Sequence, residues 1–165
     1  ELVIPDNLQS IGDYAFKGSG SLNLAFLPQT ITYIGAYAFQ DCASLVGSWN
    51  EDIGDWMLRV GGDLEKIAEG MFLGCEGLVN IYFEGDIPRI EGEAFLRCGN
   101  LESVSVSNAL EWFADTVFEE IITTLFVFTF RGTQEEWDAI MANKGQTNMD
   151  RLTWLDRVFC IPYME

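Results

Sequence analysis

A repeat solenoid closed by a helical cap is the fold that this 165-residue sequence predicts, and three observations carry the prediction. An apolar pattern recurs every 23 residues, a phenylalanine marks each recurrence, and a helix-start signal follows the last one. The segment from Ile4 to Phe16 superposes on that from Leu27 to Phe39 with every apolar position repeated. The phenylalanine returns at Phe72, Phe95 and Phe118 after steps of 33, 23 and 23 residues, so one repeat holds an insertion of ten. Ile11, Ile34, Ile67, Ile90 and Phe113 stand five places before it, and Ala15, Ala38, Met71, Ala94 and Val117 directly before it. Leu22, Leu45, Leu78 and Leu101 follow six places after it, with Leu125 one place late.

A period of this length, with strand signals at Leu78-Val79-Asn80-Ile81-Tyr82-Phe83 and Leu101-Glu102-Ser103-Val104-Ser105-Val106, reads as a leucine-rich repeat solenoid. Its expected form is a right-handed coil with a parallel sheet of short strands on the concave face and an irregular or short-helical convex side. Alternation sends Ile81, Phe83, Val104 and Val106 inward, while the repeated phenylalanine fills the space behind the sheet. Ile4 aligns with Leu27, which makes Glu1 to Ile4 a first strand with no capping segment before it. Its apolar coil edge then needs cover from upstream residues, another subunit or a crystal neighbour, and the chain reads as a fragment or a processed product. At the far end, Thr133 with Glu136 three residues on is a capping box, and Trp137, Ile140 and Met141 fall on one helical face. That predicts a helix over about 133–142 lying on the last coil, with a partner-docking helix as the other reading, and a final strand over about 157–161. The expected organisation is repeats over residues 1–130, with the insertion at 50–59, and a C-terminal cap over 131–165.

The run Leu27-Pro28, Ile31, Ile34-Gly35, Ala38-Phe39, Cys42 and Leu45 resembles the BspA-like leucine-rich repeat family of bacterial surface proteins and various protists. The resemblance extends from residue 1 to about 130, and Gly132-Thr133, Trp137 and Ile140 are similar to the segment that often closes such arrays. It implies adhesion and protein contacts, and an extracellular or cell-surface location, and it brings no catalytic residues. The repeats from Ile67 to Phe72 and from Phe113 to Phe118 depart from the family pattern.

Charge narrows the partners. Nine basic against 26 acidic residues leave a net charge of −17, which disfavours nucleic acid and anionic lipid and leaves another protein, a basic one included, as the partner. No apolar run approaches the length of a membrane span. The absence of histidine removes the commonest general base and metal ligand, and neither a nucleophile elbow nor a phosphate loop occurs. The expectation is therefore no enzyme, no cofactor and no metal. Cys42, Cys75 and Cys98 each lie three places after the repeat phenylalanine. Such a column points its side chains in parallel, which suits buried thiols that pack in, or weakly hydrogen-bond to, the turn entering each strand better than disulfides or zinc.

Candidate binding residues follow from alternation. One outward column holds Phe26, Trp49, Tyr82, Ser105 and Thr129, the other Leu24, Gly47, Asn80, Ser103 and Val127. Phe26, Trp49 and Tyr82 form either an aromatic docking patch or a lateral stack that stiffens the sheet, and the insertion leaves the strand register at Trp49 open between this and another alignment. Trp56 and Met57 in the insertion either tuck onto the coils or project towards a partner. Besides a binding and adhesion module, a second role stays open: an accessory subunit of a larger assembly, whose open edge a neighbour covers.

Overall fold

The computed structural model describes residues 2–121, 126–143 and 158–160; expectations placed on Glu1, Leu125 and Ile161 lie outside them. The strands in chain order are β1 (Ser10–Ile11), β2 (Phe26–Leu27), β3 (Tyr33–Ile34), β4 (Ser48–Asn50), β5 (Asp55–Val60) and β6 (Asn80–Phe83). They continue with β7 (Arg89–Ile90), β8 (Ser103–Ser107), β9 (Trp112–Phe113), β10 (Val127–Arg131), helix α1 (Gln134–Asn143) and β11 (Val158–Cys160). Five coils stack as a parallel solenoid. The principal sheet runs β11-β10-β8-β6-β5-β2, with β4 added antiparallel to β5.

Alternation along these strands builds the interior. Leu58, Ile81, Val104 and Phe128 face one another across four strands, and Leu27 with Val60, Phe83, Val106 and Phe130 makes a second inward row; all are buried. Behind the sheet the repeat phenylalanines stack in one file. Ring centroids are 5.4 Å apart from Phe16 to Phe39, 5.5 Å from Phe39 to Phe72, and 5.6 Å on to Phe95 and then Phe118. Each buried ring contributes roughly 1.5–3 kcal/mol of apolar burial. The Ile11, Ile34, Ile67, Ile90 and Phe113 column forms a second corner of the coil, as β1 paired with β3, an Ile67–Ile90 bridge, and β7 paired with β9.

The convex side is a succession of turns whose alternate amides donate to the next coil. Tyr37, Phe39 and Asp41 donate to the carbonyls of Glu69, Met71 and Leu73, and Gly70, Phe72 and Gly74 donate to Gly92, Ala94 and Leu96. Thiols run the other way: Cys42, Cys75 and Cys98 donate to the Phe16, Phe39 and Phe72 carbonyls of the preceding coil at 3.0–3.1 Å. All three are reduced and buried, and the ladder gives a second donor to carbonyls that already accept the turn amides of Ser19, Cys42 and Cys75.

At the C-terminal end the Thr133 hydroxyl accepts from the Glu136 amide at 3.2 Å, and the Glu136 carboxylate accepts from the Thr133 amide at 2.8 Å. That reciprocal pair starts α1 and turns Trp137 and Ile140 into the interior. The Trp137 ring lies 5.8 Å from Phe113, 5.7 Å from Phe128 and 5.5 Å from Phe130, so the helix shields the last coil. The opposite end departs from expectation, because Leu2 to Ile4 form no strand. In the stretch across from them the Asn23 carboxamide accepts from the amides of Val46 and Gly47 and donates to the Gly47 carbonyl, anchoring it to the base of β4. A groove of about 820 Å³ lies between the two, lined by Leu2, Val3, Ile4, Leu22, Leu24 and Phe26 among others.

Candidate functional site

The outward face of the principal sheet is set by its register. One row reads Phe26, Arg59, Tyr82, Ser105, Thr129, and the next Met57, Asn80, Ser103, Val127. Three of the expected neighbours are displaced, Gly47 among them, since Met57 stands beside Asn80 in its place. Trp49 is not between Phe26 and Tyr82, because β5 occupies that strand position and puts Arg59 there. Leu24, expected outward, is 2% exposed. The insertion is thus a β-hairpin in which β4 leaves the coil, a turn at Glu51–Gly54 reverses it, and β5 returns to take over the sheet. The 23-residue period offered a signal for this, since counting back from Ile81, Tyr82 and Phe83 lands on Leu58, Arg59 and Val60.

Arg59 and Tyr82 sit in a polar setting. Arg59 pairs with Glu84, whose other oxygen accepts from Gln29 at 3.4 Å. The Arg131 guanidinium lies 4.5 Å from the Tyr82 ring centroid and donates to the Phe83 and Glu84 carbonyls at 2.7 and 3.2 Å. This sandwich fixes Tyr82 and leaves Phe26, 47% exposed, at the margin of the face. A groove of about 520 Å³ beside Phe26 and Arg59 also takes in Gln29, Ser48 and Glu84. Sequence reasoning passed over both arginines.

Asn80 stands in the outward row where it was expected but is covered there. It is 7% exposed, donates to Asp55 at 3.2 Å and to the Trp56 carbonyl at 2.9 Å, and accepts from the Ser103 hydroxyl at 2.6 Å. These bonds use the side chain to clasp the hairpin, which removes Asn80 from the contact surface. Ser103 is tied to it, whereas Ser105 lies partly exposed in the outward row beside Tyr82.

Trp56 and Met57 also separate. Met57 shares the outward face with Arg59, but alternation places Trp56 on the side that carries Leu58 and Val60. Trp49 pairs directly with Trp56, and their rings meet edge to face at 6.0 Å and 81°. Both project past the coil rim, 50% and 43% exposed, with Ile53 exposed at the turn. The structure therefore divides the expected residues into two surfaces: Phe26, Tyr82, Met57 and Ser105 on the concave face, and Trp49 with Trp56 under the hairpin.

Burial pushes the Cys98 thiol up to about 12 and the Cys75 thiol well above its ordinary range, so neither serves as a nucleophile near neutral pH. Among the described residues no group of three carboxylates or thiols is arranged to hold a metal ion, and no helix is long and apolar enough to cross a membrane.

Residues 1–50 and 56–136 match the family described as BspA type leucine rich repeat region, in six copies. The break in the match falls at the hairpin turn and the start of β5. Among solved structures, a leucine rich cell surface protein from Faecalibacterium prausnitzii A2-165 is similar, with a TM-score of 0.68 and 24% identity over 83% of this chain. The chain spans about a third of that protein, 33% of its length. Comparison with curated proteins gives no match.

Proposed function

Because the chain belongs to the BspA-type leucine-rich repeat family, we propose that it acts by binding another protein on the outward face of its concave sheet, at a cell surface. The observation that carries this reading is the row Phe26, Arg59, Tyr82, Ser105, Thr129, held in register on five parallel strands and set among charged and aromatic side chains. Strands about 4.8 Å apart present such a row as a rigid array, so little conformational freedom is lost when a partner docks. Tyrosine and arginine are also the side chains most used at the centres of protein interfaces. The similarity to a cell surface protein supports the location. Binding rather than catalysis is the role this surface suits, since its polar groups lie in a line and do not converge.

A photoreactive residue placed at Ser105 is expected to form protein adducts on intact source cells, and the same residue at exposed Ser44 is expected to form none. Equal labelling from both positions contradicts the reading. A second reading is an accessory subunit of a larger assembly, in which a neighbouring chain packs on Leu2 and Val3, both exposed. A chain recovered from its source only within a stable complex that buries Leu2 and Val3 supports that role instead.

A further inference from the structure

We infer that the underside of the β4–β5 hairpin is a second docking surface, built to take a lysine- or arginine-bearing segment of another protein across the exposed faces of Trp49 and Trp56. This extends the binding-module reading to a different face and names the partner's chemistry. Three observations converge on it. The first is exposure: two tryptophans and Ile53 stand free of the coil body on a strand pair fixed by the main sheet and by Asn80.

The second is the absence of an internal cation. On three other rings the chain supplies its own, with Lys17 over Tyr14, Arg89 over Trp112 and Arg131 over Tyr82, at 5.3, 4.7 and 4.5 Å. Among the described residues no lysine or arginine lies over Trp49 or Trp56. Arg59, on the same strand, faces the other side and is engaged by Glu84. Tryptophan is the aromatic side chain that attracts cations most strongly.

The third observation is charge. From Ser48 to Leu58 the chain carries Glu51, Asp52 and Asp55 and no basic residue. Asp55 is bound to Asn80, but Glu51 and Asp52 are exposed and make no ion pair among the described residues. Asn50 accepts from the amides of Asp52 and Ile53 at 2.9 and 3.3 Å, which holds the turn in place with its carboxylates outward. Aromatic rings on a hairpin whose turn carries unneutralised carboxylates complement a side chain with an apolar stem and a cationic head. A neutral apolar partner would leave those carboxylates uncompensated, and an anionic one would be repelled.

The test is calorimetric titration of the whole chain with a short peptide alternating arginine with leucine and serine, against the same peptide with glutamate for arginine. The arginine peptide is expected to bind and the glutamate peptide not to bind. Trp49→Ser with Trp56→Ser keeps the charge and is expected to weaken binding about tenfold. Glu51→Gln with Asp52→Asn keeps both rings and is expected to weaken it about threefold, more than the equal charge change in Glu76→Gln with Glu111→Gln. Phe26→Ser with Tyr82→Ser, which disables the concave face, is expected to leave peptide binding unchanged, so the two surfaces fail separately. Undiminished binding by the tryptophan variant, equal binding of both peptides, or tryptophan-dependent binding to phosphatidylcholine vesicles in place of the peptide overturns the proposal.

Discussion

Gly70 shows how one residue answers to the coil before it. Its column also holds Tyr14, Tyr37 and Glu93, all left-handed with φ between 56° and 59°, so the backbone there tolerates side chains. What demands glycine is Tyr37, whose ring carbon is 2.2 Å from where a Cβ would stand and whose hydroxyl is tied to Glu69 at 2.8 Å. Gly70→Ala is expected to destabilise the chain by about 2–4 kcal/mol in chemical denaturation. In a Tyr37→Ser background the same change is expected to cost about 1 kcal/mol, the backbone share alone. The thiol ladder yields a second expectation at this scale. Burial raises Cys98 from 9.0 to about 12, so between these values the unfolded chain has released a proton that the folded chain retains. Its contribution is complete below pH 9.0 and is lost as pH rises towards about 12. Denaturation midpoints measured across that range are expected to fall with pH, and to fall less steeply in Cys98→Ala.

Among the elements, the inserted hairpin repays most attention because it was least legible. The phenylalanine and cysteine columns, and the Thr133 to Glu136 capping box, were readable because each repeats or obeys a local rule that needs no partner. The register at Trp49 was not, since Trp49 continues the second coil without a break and only the backward count from Ile81 assigns the strand to Leu58 and Val60. Asn80 was misjudged for a related reason: alternation says which side a residue faces, not what stands over it there. Its clasp on Asp55, Trp56 and Ser103 makes the hairpin part of the sheet. Asn80→Ala is expected to cost about 1–3 kcal/mol and to raise amide hydrogen exchange in β4 and the outer half of β5 above that of β6. Uniform exchange across all three strands would mean that the hairpin is held by its backbone pairing alone.

For the molecule as a whole, stability comes from neighbour against neighbour: inward rows, stacked rings, and amides and thiols that bond across coils in opposite directions. A solenoid built this way tolerates an insertion at one coil, provided the chain returns in register. The returning strand does so, since Phe39 and Phe72 stack at 5.5 Å across the interruption, as closely as the uninterrupted pairs. The two proposed docking surfaces depend on that continuity, one lying along the sheet and the other hanging from its rim. The most direct measurement is the pattern of nuclear Overhauser contacts among phenylalanine rings in a chain labelled only at those rings. An unbroken series from Phe16 through Phe39, Phe72 and Phe95 to Phe118, each meeting its neighbours in the file, is the predicted result. A series broken between Phe39 and Phe72 would contradict it, and would remove the frame on which both surfaces are placed.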